Sequence, residues 1–130
     1  MILGLGLDVV EVARIRRLIG TDAPEETARR FLARCFTEGE QRFCDARADR
    51  ATPYAARFAA KEAASKALGA PTGIHWTDVE VLREEGAPSL RFSGVADRAA
   101  RARGVTRIHL SLTHDAGIAA AVVVLEGGNT

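Results

Sequence analysis

The stretch RFAAKEAASKALG, residues 57–69, restricts the fold more than any other part of the chain. On a helical wheel at 100° per residue, its alanines fall on one half and its charged residues on the other. The alanine half allows this helix to pack unusually close to its neighbour. The polar half is predicted to present one continuous strip, made of Arg57, Lys61, Glu62, Ser65 and Lys66.

The composition sets limits on the class of protein. A chain of 130 residues with 47% apolar and 27% charged residues fits one globular domain over 1–130. A net charge of +1 gives no general attraction to nucleic acid, and the longest apolar run, 118–125, is too short to cross a membrane. Cys35 and Cys44 form no CxxC pair, and although they could bridge each other, free thiols in a reducing cytosol are expected. We therefore expect a cytoplasmic protein.

Apolar periodicity and turn residues predict an α+β fold without repeats or linkers. A mixture of about four helices with four or five strands is expected, and the last two strands form a hairpin. The expected strands lie at 2–7, 74–82, 89–92, 106–114 and 117–126, with a turn at 83–88. The expected helices lie at 9–20, 24–34, 52–69 and 94–103, and TEGE at 37–40 is a capping-box pattern for a further helix.

The polar strip has two interpretations. As a solvated helix face, its Glu62 and Lys66 form an i,i+4 pair worth only about 0.2–0.5 kcal/mol. As a phosphate site, its cations hold anionic oxygens while Glu62 holds a hard divalent metal. A magnesium site usually needs a second anionic ligand, so the helix by itself does not decide between the two.

Asp8, in the segment GLGLDV, is the candidate for that second ligand. In a strand it shares a face with Gly4 and Gly6, and this bare face lets backbone or a ligand approach it closely. The spacing from Asp8 to Glu11 fits equally well a capping box for a helix that begins at Val9. Both interpretations stay open on this pattern.

A hydrolytic triad is an alternative of a different class. Ser111, His114 and Asp115 have the required residue types, but they crowd into one short segment without GxSxG or another nucleophile motif. His114 lies at the turn of the predicted hairpin, where a surface or packing role is more common. It gains interest only if that turn lies near the charged helix.

Taken in order along the chain, several segments resemble the holo-acyl-carrier-protein synthase family, the small 4′-phosphopantetheinyl transferases. They are GLGLDVVEVARI at the start, FTEGEQRFC at 36–44, RFAAKEAASKALG at 57–69, GIHWTDVEV at 73–81, GAPSLRFSG at 86–94 and IHLSLTHDAGIAAAVVVLE at 108–126. The resemblance implies the fold of that family, an α+β domain in which an antiparallel sheet packs with a long helix. It also implies homotrimers with active sites at the subunit interfaces.

The same resemblance implies an activity. Members of the family move the 4′-phosphopantetheine group of coenzyme A onto a serine of an apo acyl carrier protein, with Mg²⁺, and release adenosine 3′,5′-bisphosphate. Asp8 and Glu62 match the family's metal-binding carboxylates. The positions that match the coenzyme A site are Arg57, Ser65 and Lys66 at the phosphates, Pro88 beside the adenine and His114 near the nucleotide.

Two of these residues are expected to be catalytic. Attack on the β-phosphorus builds charge on the pyrophosphate oxygens, which magnesium together with Lys66 stabilises. Glu62 orients or deprotonates the serine hydroxyl, either directly or through a metal-bound water. Lys61 falls in the same motif without an assigned role. A coenzyme A or nucleotide binding module that has lost activity remains the alternative, and the carrier protein, from fatty-acid or polyketide synthesis, is left open.

The helix after Asp8 suggests where the acidic carrier protein binds. Arg14, Arg16 and Arg17 lie opposite Ile15 and Ile19 on the helical wheel. A solvated face is the usual meaning of such a cluster. Arginine nevertheless suits carboxylates, and a local basic surface steers an acidic partner even when the net charge is small. We therefore predict Arg14 and Arg17 as docking residues.

Overall fold

Strand β5 (Ile118–Gly127) lies at the centre of a three-stranded antiparallel sheet, between β1 (Ile2–Glu11) and β4 (Val105–Asp115). Strands β2 (Val79–Leu82) and β3 (Ser89–Phe92) form a second antiparallel pair. The described residues also form five α-helices: α1 (Val12–Ile19), α2 (Glu25–Cys35), α3 (Glu38–Asp45), α4 (Ala51–Ala67) and α5 (Gly94–Ala102).

The computed structural model describes residues 1–83 and 86–128, so positions 84 and 85 of the predicted turn lie outside it. Within these residues, the predicted α+β fold with an antiparallel sheet packed against a long helix is confirmed. No helix in the described ranges combines the length and the apolar character that a bilayer crossing requires.

Helix α4 is the centre of the core and contacts all three strands of the larger sheet. Its alanines are almost completely buried, as the wheel predicted. The sheet face that they meet also has small residues at four positions, Gly4 and Gly6 of β1 and Ala119 and Ala121 of β5, beside the larger Val123 and Leu125. Small residues on both partners therefore bring the helix backbone close to the sheet.

The contact between β1 and α4 is close enough to exclude any side chain at two positions. A Cβ atom at Gly4 would overlap the carbonyl oxygen of Ala67, and a Cβ atom at Gly6 would overlap that of Ala63. Both neighbours are backbone atoms, which cannot rotate away as a flexible side chain can. Asp8 is the next residue on this face of the strand, and it is buried.

The N-terminal strand is longer than the sequence predicts. The strand expected to end at residue 7 continues to Glu11, and the helix expected from Val9 begins only at Val12. Residues 7–11 pair with β5, and this ladder satisfies their backbone groups. Asp8 therefore lies within the strand, and its interpretation as a helix cap is wrong.

A second difference concerns the strand predicted over 74–82. Trp76–Asp78 instead form a single 3₁₀ turn, and β2 begins at Val79. The Asp78 carboxylate accepts a hydrogen bond from the backbone N–H of His75 at 3.2 Å. Such a local side-chain bond competes with strand pairing, which explains the shorter strand. The capping box predicted at 37–40 is confirmed, between Thr37 and Glu40 at the start of α3.

Replacing Gly6 with alanine tests the close contact between β1 and α4. We expect Gly6→Ala to lower the free energy of unfolding by about 3 kcal/mol or more, because the added methyl group forces helix and strand apart. The control is Gly104→Ala, where φ is +80° but the space is open, so only a backbone cost of about 1–2 kcal/mol applies. Urea unfolding measures both. Equal losses would contradict the described packing.

Candidate functional site

The polar residues of α4 do not form the single strip that the wheel predicted. They divide into three groups that face different parts of the protein. Lys66 and Glu62 lie beside Asp8, Arg57 faces an open pocket, and Lys61 points into the core. Each group has its own electrostatic environment and its own chemical use.

Asp8 and Lys66 form the first group. The Asp8 side chain is 9% exposed, and its Oδ1 accepts a hydrogen bond from Lys66 Nζ at 3.0 Å. The same ammonium donates to the carbonyl oxygen of Leu7 at 3.1 Å. The second oxygen, Oδ2, is buried and has no hydrogen-bond partner in the described part of the chain. A buried carboxylate oxygen without a partner is short of a donor or a cation.

Glu62 lies one helical turn before Lys66 and reaches the same carboxylate. Burial raises the pKa of Glu62, and the neighbouring carboxylate of Asp8 acts in the same direction. The charges of Lys66 and Arg14 oppose this increase. Two carboxyl groups in contact are unfavourable when both are ionised, so the pair favours an added cation.

This pair has the composition of a magnesium site that the protein completes only in part. The structure shows no cluster of three or more His, Cys, Asp or Glu side chains in residues 1–83 and 86–128. Magnesium is commonly held by one or two carboxylates, with water and substrate phosphates completing its octahedron. Asp8, with its unpartnered Oδ2, and Glu62 fit that pattern.

Arg57 belongs to the second group, which borders an open pocket of about 850 Å³. His114, near the end of β4, also lines the pocket, so the turn between β4 and β5 lies close to α4. Two further arginines, Arg47 and Arg83, line it as well. Asp49 is the one carboxylate among the described lining residues. The concentration of positive charge favours an anionic ligand.

Sequence reasoning missed Arg47 and Arg83. Both lie outside the helices and strands, Arg47 after α3 and Arg83 after β2. No periodicity or motif spacing marks a basic residue in such a position. Their convergence on Arg57 is a result of the tertiary structure.

Lys61 is a structural residue and not part of a ligand strip. Its side chain is fully buried, and Nζ donates to Glu40 Oε1 at 2.8 Å and to the carbonyl oxygens of Trp76 and Val79. Glu40 Oε2 accepts from the backbone N–H of Val81 at 2.9 Å. Burial lowers the pKa of Lys61, against the opposing effect of Glu40. The pair joins α3, α4 and β2.

The remaining predicted residues are less closely grouped. Ser65 is half-buried on α4, where it lies between Glu62 and Lys66 in sequence. Pro88 is half-buried just before β3, but it does not line the basic pocket. Arg14 and Arg17 are exposed on α1, and the effect of Arg14 on the pKa of Glu62 places it on the side of the carboxylate pair.

The structure contradicts the hydrolytic triad. Ser111 and His114 are three residues apart in β4, so their side chains lie on opposite faces of the sheet. Ser111 pairs with Val122, whose side chain belongs to the face away from α4, whereas His114 lines the pocket. A nucleophile and its base cannot meet in this arrangement.

Comparison with known proteins agrees with the geometry. Residues 4–123 match the family described as the 4′-phosphopantetheinyl transferase superfamily. A holo-[acyl-carrier-protein] synthase of Anaeromyxobacter sp. (strain K) is 64% identical over 127 residues, 98% of both chains. The synthase of Myxococcus xanthus (strain DK1622) is 54% identical over 123 residues, 95% of this chain and 94% of that one.

Solved structures with the same fold carry a ligand. The Helicobacter pylori holo-[acyl-carrier-protein] synthase in complex with coenzyme A has a TM-score of 0.78 and 29% identity, over 94% of this chain and 99% of that chain. A holo-(acyl-carrier-protein) synthase from Bacillus anthracis in complex with CoA (3′,5′-ADP) has a TM-score of 0.74 and 33% identity, over 98% of this chain and 99% of that chain.

The two lysines of α4 provide a matched test of the division into groups. Lys61→Met leaves Glu40 buried without its cation, and we expect it to lower the free energy of unfolding by about 3–5 kcal/mol. Lys66→Met should cost less, about 1–3 kcal/mol, because Lys66 is 56% exposed and screened by water, although Asp8, which is 9% exposed, loses its cation. Urea unfolding of both variants measures the difference. A larger loss for Lys66→Met would contradict the assignment.

Proposed function

Because the chain belongs to the 4′-phosphopantetheinyl transferase superfamily, we propose that it transfers the 4′-phosphopantetheine group of coenzyme A to a serine of an apo acyl carrier protein. The serine oxygen attacks the β-phosphorus, and the bond from that phosphorus to the bridging oxygen breaks. Adenosine 3′,5′-bisphosphate leaves, and the serine proton passes to a base. The carboxylate pair and the basic pocket on one helix support this proposal best.

The spacing of the two groups along α4 suits a donor with two separate phosphate regions. Arg57 and Lys66 are nine residues apart, which corresponds to about 13 Å along the helix axis. Coenzyme A carries a pyrophosphate and, on its ribose, a 3′-phosphate. With Lys66 and the carboxylates at the pyrophosphate, Arg57 is left for the other phosphate.

Lys66 is proposed as the catalytic cation. Its ammonium is the nearest positive charge to Asp8, and it is exposed enough to reach a ligand. With a cation held by Asp8 and Glu62, the Lys66 ammonium would be free to bind the pyrophosphate oxygens. Charge grows on these oxygens as the bond to the leaving group breaks, so this contact lowers the barrier.

Magnesium is proposed as the cofactor, held by Asp8 and Glu62. When bound, it neutralises charge on the pyrophosphate and orients it for attack. Glu62 is also proposed to orient or deprotonate the serine hydroxyl.

Mass spectrometry of apo carrier protein, incubated with coenzyme A and magnesium, tests the proposed transfer and its metal site. We expect a gain of one phosphopantetheine group with the wild-type chain, and kcat/KM lower by about 10²-fold or more with Asp8→Asn. Asparagine keeps the shape of the side chain but loses the charge that holds the ion.

Three outcomes of this experiment count against parts of the proposal. Full activity of Asp8→Asn would contradict the metal site. Transfer that persists after chelation of magnesium would contradict the cofactor. Coenzyme A binding without any mass gain would favour the alternative of a binding module that has lost activity.

We also propose that the chain assembles as a homotrimer through the outer face of its sheet. Leu5, Leu7 and Val9 alternate along β1 and are 64%, 60% and 57% exposed. Beside them on this face lie Val122 and Val124 of β5, which are only partly covered. An apolar surface of this extent on a sheet is typical of an interface, and a further copy of this chain is the proposed occupant.

Light scattering tests this assembly. We expect the mass of a trimer for the wild type and of a smaller species for Leu5→Glu, because the new charge would be buried in the interface. Ala33→Glu adds the same charge at an exposed position of α2 and should leave the mass unchanged. A stable, active wild-type monomer would refute the proposal.

The carrier protein is proposed to dock at α1. Arg14 and Arg17 are exposed there, while Arg16 is engaged with Asp49 at 3.3 Å. Arg14 is also close enough to Glu62 to affect its pKa. An acidic partner that binds these arginines therefore brings its serine towards the carboxylate pair.

Both Cys35 and Cys44 are free and buried, which supports the proposed cytoplasmic location.

Reversing two charges tests the docking surface. We expect Arg14→Glu with Arg17→Glu to raise the KM for the carrier protein about 10-fold at low salt, and to leave coenzyme A binding nearly unchanged. Salt should also raise the wild-type KM, because it screens exposed charges. The control, Arg98→Glu with Arg101→Glu on α5, makes the same change of charge elsewhere. Unchanged kinetics in the α1 variant would place the docking surface elsewhere.

A further inference from the structure

Phe43 of α3 has an arrangement that the proposed chemistry does not yet explain. The guanidinium carbon of Arg57 lies 4.2 Å from the centroid of its ring, and that of Arg47 lies 4.3 Å from it. All three residues line the basic pocket. One aromatic ring therefore contacts two cations that belong to different parts of the chain.

Arg57 is short of partners in spite of its burial. The residue is 3% exposed, and its Nη1 donates to the carbonyl oxygen of Pro53 at 3.2 Å. Its Nε and Nη2 are buried and make no hydrogen bond within the described residues. Burial lowers the pKa of Arg57, the charge of Glu40 opposes this, and the charges of Arg83 and Arg47 add to it. A guanidinium with free donors at the wall of a basic pocket is well placed to bind an anion.

The ring offsets the repulsion between the two guanidiniums. The face of an aromatic ring is negative, and a cation placed over it gains about 0.5–2 kcal/mol, depending on its exposure. Without the ring, Arg47 is an exposed side chain at the end of a helix with many rotamers available. With the ring, the guanidinium groups of Arg47 and Arg57 are both held against Phe43, which restricts their positions before a ligand binds.

The ligand of this pair follows from its place along α4. Lys66 and the carboxylates take the pyrophosphate under the proposed function, and Arg57 lies about 13 Å away along the helix. The only other phosphate of coenzyme A is the 3′-phosphomonoester. A phosphomonoester has three terminal oxygens and about two negative charges, which suits two guanidiniums.

We propose that Phe43 is a positioning residue, whose ring holds Arg47 and Arg57 as a clamp for the 3′-phosphate of the donor and so sets the preference for coenzyme A over dephospho-coenzyme A. The inference rests on the proposed function. Arg57 and Arg47 contact the phosphate, and Phe43 acts through them. Replacing the ring therefore changes donor selection more than it changes the chemical step.

A series of fluorinated phenylalanines at position 43 tests the clamp. Each added fluorine weakens the negative face of the ring and changes its shape little. We expect the ratio of kcat/KM for coenzyme A to that for dephospho-coenzyme A to fall stepwise, about 3- to 10-fold over the series. The dissociation constant of adenosine 3′,5′-bisphosphate should rise in parallel. Phe43→Trp should retain the ratio and Phe43→Leu should lose it.

The same series at Phe92 is the control. Phe92 is also half-buried, but it lies on β3 away from the basic pocket, and its series should leave the ratio flat. A flat ratio at position 43, or the same fall at position 92, overturns the clamp. If the wild type binds the bisphosphate but modifies no carrier protein, the proposed function fails, while the bisphosphate series still decides whether the clamp exists.

Discussion

The close contact between α4 and the glycine face of β1 is the constraint on which the rest of the structure depends. Backbone meets backbone there, because Gly4 and Gly6 have no side chain and α4 presents alanines and its own carbonyl oxygens. This contact brings the next residue on that face, Asp8, within reach of Lys66. Any larger residue at the glycines would move the carboxylate away from the ammonium, so the geometry of the site and the packing of the core share one cause.

The charges on α4 separate into structural and functional ones by whether their hydrogen bonds are complete. Lys61 is fully buried with three acceptors, and it serves to join α3, α4 and β2. Arg57 is almost as buried, but among residues 1–83 and 86–128 two of its nitrogens and one oxygen of Asp8 have no partner. Burying a charge without complete partners costs free energy, so such groups persist where a ligand completes them. Both incomplete groups occur where the proposed function places a cation or an anion.

Local patterns in the sequence predict those features that depend on one element. The α+β fold, the alanine face of α4 and the capping box of α3 are of this kind, and all are confirmed. The end of β1 depends instead on pairing with β5, and the burial of Lys61 depends on Glu40. These partners are far away in sequence, so the predicted end of β1 and the predicted place of Lys61 in the polar strip are wrong. Arg47 and Arg83 could not be predicted for the same reason. The resemblance to a family suggested site roles for Asp8, Glu62 and Lys66, which periodicity left ambiguous, and those roles stay predictions.

Helix α4 is proposed to hold one donor molecule along its length, with a metal at one end and an arginine clamp at the other. A crystal structure of the chain with coenzyme A and magnesium would test this arrangement. We expect the metal on Asp8 and Glu62, the pyrophosphate at Lys66, and the 3′-phosphate between Arg47 and Arg57. Coenzyme A bound away from α4, or a 3′-phosphate in solvent with Arg57 still unpaired, would contradict it.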